Sequence, residues 1–83
     1  MAQVTYYGAD WCRDCTRSKA LLNKLNVEFE ERNVEHTPAF ADEAQAISGR
    51  TNIPVIKFSD GEFFVEPSDK ELEEALAKRG LVA

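Results

Sequence analysis

The residues best suited to chemistry in this chain are its two cysteines, Cys12 and Cys15, which have two residues between them. Thiols at this spacing can close a small disulfide ring and open it again. A strand is predicted before the pair and a helix after it, so Cys12 falls at a helix N-terminus. There the helix dipole and the unpaired backbone N–H groups favour the first thiol as an anion, the form that attacks disulfides. The pattern therefore predicts a redox catalyst.

Three other interpretations of the cysteine pair are weaker. A disulfide that closes a four-residue loop removes little chain entropy, about 2 kcal/mol, so it would stabilise the fold poorly. Structural zinc takes four ligands, and the chain has no third cysteine and only one histidine, His36. The third interpretation is an inert pair of small apolar residues. We expect no metal site and give His36 no catalytic role.

Composition limits the kinds of partner. The 83 residues are 43% hydrophobic and 30% charged, which fits one domain over residues 1–83. The net charge of -5 would be repelled by nucleic acid and by an anionic membrane surface. No apolar run reaches the roughly 18 residues that cross a bilayer, and the first five residues lack the features of a signal peptide. We therefore expect a cytoplasmic monomer, in a compartment where a CxxC pair is usually catalytic.

The first half of the chain is predicted to contain two strands around one helix. The first strand covers residues 4–7. The helix over 13–26 has an apolar stripe at helical spacing, formed by Ala20, Leu21, Leu22 and Leu25. Residues 27–31 alternate apolar and charged side chains, which is typical of a strand with one face in the core.

The second half is predicted to contain a helix, a hairpin and a last helix. Thr37 and Pro38 suit the first positions of the helix, and Gly49 suits its left-handed end. Two strands follow, over 54–58 and 63–65, joined by a hairpin turn at Asp60-Gly61. Ser68 and Glu71 form a capping box that begins the last helix.

The resulting order is β-α-β-α-β-β-α. The alternating part predicts three parallel strands joined by crossovers, and the hairpin makes the last strand antiparallel. This is an α/β fold with a thioredoxin-like, four-stranded mixed sheet and helices on both faces. In this order the CxxC lies at the carboxyl end of a strand, where open α/β sheets place their ligand sites.

Over nearly its whole length the chain resembles the glutaredoxin family. The matching motifs are Trp11-Cys12-x-x-Cys15, Ile53-Pro54 before the third strand and Asp60-Gly61 in the hairpin. The stretch from Phe58 to Ser68 is most similar to mycoredoxins, glutaredoxin-like proteins of actinobacteria that work with mycothiol instead of glutathione. The chain departs from the family pattern at Arg13-Asp14, where glutaredoxins usually carry Pro-Tyr. It also lacks the paired glycines that many glutaredoxins have before the last helix.

The two cysteines are predicted to have different roles. Cys12, at the exposed start of the helix, is the predicted nucleophile. Cys15, one turn along, is predicted to point inward and to resolve the mixed disulfide on Cys12, unless a second small thiol attacks first. The resemblance implies a cis peptide bond before Pro54, which would turn the Ile53 backbone outward opposite Cys12. There Ile53 could pair with the main chain of a substrate; the alternative is a trans proline that begins an edge strand.

Three further residues are predicted to contact substrate. Trp11 would shield one side of the site, and Arg13 would add positive charge beside Cys12. Ser68 lies at the helix start that, in many glutaredoxins, holds the γ-glutamyl carboxylate of glutathione. The alternatives are a surface aromatic, a solvated charge and a simple helix cap. Acidic residues are predicted to crowd the region of Ser68 and to favour mycothiol, a neutral sugar-bearing thiol, over anionic glutathione; these are Glu62, Glu66, Asp69 and Glu71.

The leading prediction is a thiol-disulfide oxidoreductase that removes mycothiol from protein mixed disulfides or reduces small disulfides. Its partners would be disulfide-containing or thiolated proteins and a low-molecular-weight thiol, with no tightly bound cofactor. Three alternatives stay open. The first is an NrdH-type redoxin reduced by thioredoxin reductase, and the second is an iron–sulfur carrier that uses Cys12 and an external thiol. The third is an inactive binding module with a thioredoxin fold.

Overall fold

The computed structural model describes residues 3–82, so Met1, Ala2 and Ala83 lie outside the described residues. Both ends of the predicted 1–83 domain therefore lie outside the described residues. So do the first two of the five N-terminal residues in which no signal-peptide features were found. The described elements follow the predicted order. They are β1 (Val4–Gly8), α1 (Arg13–Lys24), β2 (Glu30–Asn33), α2 (Pro38–Ser48), β3 (Val55–Phe58), β4 (Phe63–Val65) and α3 (Asp69–Lys78).

The four strands form one mixed sheet in the order β2-β1-β3-β4. β1 and β2 are parallel, as predicted, and the hairpin makes β3 and β4 antiparallel. β3 runs antiparallel to β1, so the prediction of a third parallel strand is wrong. The reason is the path of α2, which contacts both β1 and β4 and therefore crosses the sheet. The chain enters β3 at the end where β2 stops, since Val55 lies opposite Tyr7 and Asn33 opposite Gly8.

The boundary between α1 and β2 also differs from the prediction. α1 ends at Lys24, and Asn26 takes a left-handed conformation with a φ of 57°. The Val27 N–H then donates to the Leu22 carbonyl at 2.9 Å, which closes the helix end. Val27 is buried in the core, but pairing with β1 begins only at Glu30. The alternation of apolar and charged residues over 27–31 therefore does not mark one continuous strand. It begins with a buried loop residue, Val27, and ends in the edge strand β2.

Helices cover both faces of the sheet, as predicted. Tyr6 lies in the core that the sheet shares with α1 and α3, whereas Tyr7 packs with α2 on the other face. This separation follows from the alternation of side chains along a strand. The apolar stripe predicted for the first helix is confirmed for its leucines, which pack into the core. It is wrong for Ala20, which is exposed. Ser18, which was not part of the stripe, is fully buried. No helix within residues 3–82 is both long and apolar enough to cross a membrane.

Most of the predicted helix ends are confirmed. Gly49 ends α2 with a φ of 75°, a left-handed conformation that glycine adopts without strain. Thr37 occupies the N-cap of α2, although its side chain makes no capping hydrogen bond within the described chain. At α3, the Glu71 N–H donates to Ser68 Oγ and the Ser68 N–H donates to Glu71 Oε1, each at 3.1 Å. The predicted capping box is therefore formed in full.

Candidate active site

Cys12 lies just beyond the carboxyl end of β1, as the N-cap residue of α1. Its Sγ accepts a hydrogen bond from the Cys15 backbone N–H at 3.3 Å. The Thr16 N–H and hydroxyl both donate to the Cys12 carbonyl at 3.0 Å, which fixes the first turn. Cys12 is half-buried, so its sulfur combines access to solvent with a backbone donor at the positive end of a helix.

Cys15 lies on the inner face of α1 and is fully buried. Burial raises the pKa of the Cys15 thiol to about 12, and its hydrogen bond to Cys12 acts in the same direction. The Ala9 backbone N–H and the Tyr6 hydroxyl act in the opposite direction and lower the pKa of Cys15, because both can donate a hydrogen bond to a charged sulfur. Both cysteines are free thiols in the structure. The pair thus consists of one accessible sulfur and one buried, protonated sulfur.

The segment before β3 brings a second part of the chain to the pair. The Ile53–Pro54 peptide bond is cis, as predicted, and Pro54 is buried. The Ile53 carbonyl accepts a hydrogen bond from Cys12 Sγ at 3.9 Å, across 41 positions of sequence. The Pro54 carbonyl accepts the Glu66 N–H at 2.9 Å, which anchors this segment to the end of β4. Ile53 therefore lies beside Cys12, where it was predicted, and its contact with substrate remains a prediction.

Trp11 forms the rim of a shallow groove beside the pair. Trp11 is 69% exposed. The groove has a volume of about 200 Å³ and is lined mainly by apolar side chains, with Ile53 and Val34 among them and Arg50 as its cation. Sequence reasoning missed Arg50. A usable signal was its position, because Arg50 directly follows the glycine that ends α2 and shortly precedes the Ile53-Pro54 motif. The structure thus joins Trp11 and Ile53 in one surface.

The cations near Cys12 differ in their contacts. Arg13 is exposed and makes no ion pair within residues 3–82. Arg17, which sequence reasoning did not select, donates to the Pro67 carbonyl at 3.0 Å. It also pairs with Asp69 at 3.4 Å and with Asp14 at 3.8 Å. Arg17 therefore joins the start of α1 to the start of α3, and its spacing three residues after Asp14 was the available signal.

The acidic residues predicted around Ser68 divide into two groups. Glu62 belongs to the β3–β4 hairpin, near the end of the sheet where Val4 pairs with Phe58, and it forms an ion pair with Arg79. Arg79 is the C-cap residue of α3 and offsets the charge of Glu62, while the effect of Glu62 on Ser68 stays a prediction. The other three lie at or near the start of α3, and they are Glu66, Asp69 and Glu71. Within residues 3–82, no cluster of three or more His, Cys, Asp or Glu side chains could hold a metal ion.

This sheet order, with helices on both faces and a CxxC at the start of α1, defines a thioredoxin-like fold. The glutaredoxin family model matches residues 4–64, and the chain belongs to the glutaredoxin family. It is a thiol-disulfide oxidoreductase of this type. Such proteins act on disulfide substrates with a low-molecular-weight thiol as co-substrate, and they hold no tightly bound cofactor.

The similar proteins agree with this assignment. A protein of Mycobacterium tuberculosis whose name places it among the glutaredoxins is 32% identical over 78 residues, covering 93% of each chain. Glutaredoxin 3 of Escherichia coli is 39% identical over 56 residues, covering 68% of each chain. The crystal structure of a glutaredoxin from Archaeoglobus fulgidus superposes with a TM-score of 0.78 at 26% identity, covering 89% of this chain and 85% of that one.

Proposed function

We propose that this protein reduces mixed disulfides between proteins and mycothiol, and small disulfides, as a monomeric domain of the cytoplasm. The observation that carries the proposal is the difference between its two thiols. Cys12 is accessible at a helix N-terminus and receives the Cys15 N–H at 3.3 Å, whereas Cys15 is fully buried. Attack by Cys12 forms a mixed disulfide and releases one thiol. Attack by Cys15 on Cys12 then releases the second thiol and leaves an intramolecular disulfide.

The groups around the pair would orient the substrate. The Ile53 backbone beside Cys12, supported by Pro54, would pair with the main chain of a bound peptide like an added strand. Trp11 would cover one side of the reacting sulfur with its exposed ring. Arg13, which is exposed at the first position of α1, would attract an acidic segment of a partner protein.

The preference for mycothiol rests on the occupied start of α3. Glu71 already accepts the Ser68 N–H, and the Ser68 hydroxyl already accepts the Glu71 N–H. A carboxylate of glutathione would have to displace the Glu71 carboxylate there and would meet Asp69 in the same turn. Mycothiol carries no charge and needs no such exchange, so Ser68 could still contact it through the hydroxyl.

The test is recycling of the oxidised protein by NADPH with three separate reductants. These are mycothiol with mycothione reductase, glutathione with its reductase, and thioredoxin reductase. We expect turnover with mycothiol, loss of turnover in Cys12→Ser, and in Cys15→Ser only the reduction in which a second mycothiol attacks the mixed disulfide on Cys12. Turnover only with thioredoxin reductase would instead indicate an NrdH-type redoxin. Inactivity with all three would direct attention to iron–sulfur transfer, checked by visible absorbance after anaerobic purification.

A matched variant tests the electrostatic part of the argument. Glu71→Gln keeps an acceptor for the Ser68 N–H and removes the negative charge from the start of α3. We expect kcat/KM for glutathione to rise several-fold, while kcat/KM for mycothiol stays within about twofold. Glu62→Gln is the control, because it removes one negative charge that is paired with Arg79 at the C-terminal end of α3, whereas Glu71 lies at the N-terminal end. Equal changes for both thiols in Glu71→Gln would contradict this basis for selectivity.

A further inference from the structure

Tyr6, Gly8 and Cys15 form a contact beneath the CxxC pair that the reaction described so far does not use. Tyr6 is 3% exposed and lies two residues before Gly8 on the same face of β1. A Cβ placed on Gly8 would lie 2.3 Å from the Tyr6 hydroxyl oxygen and 3.1 Å from Cys15 Cβ. The phenol therefore passes over the open side of Gly8 and reaches Cys15. Only glycine at position 8 leaves room for this approach.

The surroundings of the Tyr6 ring hold its hydroxyl in this place. The ring makes an edge contact with Phe29, with 6.0 Å between the ring centroids. Burial raises the pKa of Tyr6 above its usual range, and the charges of Cys15, Glu31 and Cys12 act in the same direction. Tyr6 is therefore protonated at neutral pH and can donate a hydrogen bond, but it cannot act as a base.

Two groups that can donate a hydrogen bond lower the pKa of Cys15, the Ala9 backbone N–H and the Tyr6 hydroxyl, and the hydroxyl lies with Cys15 Cβ on the open side of Gly8. Both oppose the effect of burial, because a donor stabilises a sulfur that carries negative charge more than a neutral thiol. Donors that point to an atom where charge develops during a reaction lower its barrier. A buried thiol that must become a nucleophile is an atom of this kind.

We propose that Tyr6 is a further catalytic residue, which donates a hydrogen bond to the Cys15 sulfur while Cys15 attacks the mixed disulfide on Cys12. This inference rests on the proposed function. In the step, Cys15 gives its proton to solvent and forms the bond to Cys12 Sγ. The bond between Cys12 Sγ and the substrate sulfur breaks, and the substrate leaves as a thiolate with the electron pair. The protein is oxidised by two electrons, the substrate disulfide is reduced, and Tyr6 keeps its proton throughout.

The experiment follows the two attacks separately by stopped flow. Reduced protein is mixed with nitrothiobenzoate disulfide, which releases one coloured thiolate when Cys12 attacks and a second when Cys15 attacks. Tyr6→Phe removes only the hydroxyl and should slow the second release about tenfold, with the first release unchanged. Tyr7→Phe is the matched control, because Tyr7 is also buried but lies on the opposite face of the sheet, and it should alter neither release.

The outcomes separate this inference from the proposed function. Absence of the first release in the unaltered protein would overturn the proposed function itself. A normal first release with an unchanged second release in Tyr6→Phe would overturn the role of Tyr6 alone, as would an equal slowing of both releases.

A second measurement decides the matter if Tyr6→Phe does not fold. The unaltered chain is labelled with 3-fluorotyrosine, and its two ¹⁹F resonances are assigned with Tyr7→Phe. Oxidation of the cysteine pair should shift the Tyr6 resonance and leave the Tyr7 resonance in place. A Tyr6 resonance that does not respond to oxidation would overturn the proposal.

Discussion

Replacement of Gly8 by alanine should destabilise this protein, although Gly8 lies in a strand where alanine would ordinarily be tolerated. The backbone at Gly8 is not left-handed, so the reduced entropy of the unfolded chain would by itself favour alanine by about 0.4–1 kcal/mol. The added Cβ, however, would lie 2.3 Å from the Tyr6 hydroxyl oxygen and 2.5 Å from its Cζ. These distances are far below van der Waals contact, so the ring must move within a core that has little free space.

The clash should outweigh the gain in entropy. Overpacking of a core costs about 1–3 kcal/mol, and an approach of 2.3 Å places Gly8→Ala in the upper part of that range, at about 2–3 kcal/mol. After about 1 kcal/mol of entropy gain is subtracted, the net loss of stability is about 1–2 kcal/mol. In a domain of this size, such a loss lowers Tm by roughly 4–15 °C. Movement of the ring should also take the hydroxyl away from Cys15, so the second thiolate release described above should slow together with the loss of stability.

The assay is urea unfolding of the reduced protein, followed by circular dichroism, in a double-mutant cycle with Tyr6→Leu. Leucine at position 6 leaves space for the new Cβ. The double variant should therefore lose about 1–2 kcal/mol less unfolding free energy than the two single variants lose together. Gly49→Ala is the control, since its φ is 75° and nothing lies within 4 Å of the added Cβ. Its loss should be independent of Tyr6. A stabilising Gly8→Ala, or strict additivity with Tyr6→Leu, would refute the close approach.

The remaining predictions concern the ionisation and accessibility of the two thiols. The free energy of unfolding should fall above pH 9, because the pKa of Cys15 rises from 9.0 to about 12 on folding. Between these values the unfolded thiol ionises while the folded thiol stays protonated, which gives a slope of about 1.4 kcal/mol per pH unit. Urea titrations should show a shallower slope in Cys15→Ser, and an equal slope would contradict this cause. Iodoacetamide at pH 7 should modify Cys12 and spare the buried Cys15, as read by mass spectrometry; equal labelling would contradict the assigned burial.

Much of the fold could be predicted because several signals depend only on nearby residues. The left-handed end at Gly49 requires a residue without a Cβ penalty, and the Ser68–Glu71 capping box closes within four positions. The hairpin between β3 and β4 could likewise be predicted, because its turn depends on the neighbouring residues Asp60 and Gly61. The boundary of β2 was predicted less well, because its first residue is defined by pairing with β1 and not by the apolar pattern that includes Val27.

The candidate site shows the same division. The sequence by itself determined the CxxC pair, its place between a strand and a helix, and the Ile53-Pro54 motif. Only the tertiary structure decided that β3 is antiparallel to β1 and that the hairpin acids Asp60 and Glu62 pair with Arg79 at the C-terminal end of α3. It also decided that the Tyr6 hydroxyl reaches Cys15 over Gly8. Local hydrogen bonds and backbone preferences are encoded in neighbouring residues, whereas these contacts depend on how α2 crosses the sheet and how separate elements share one core.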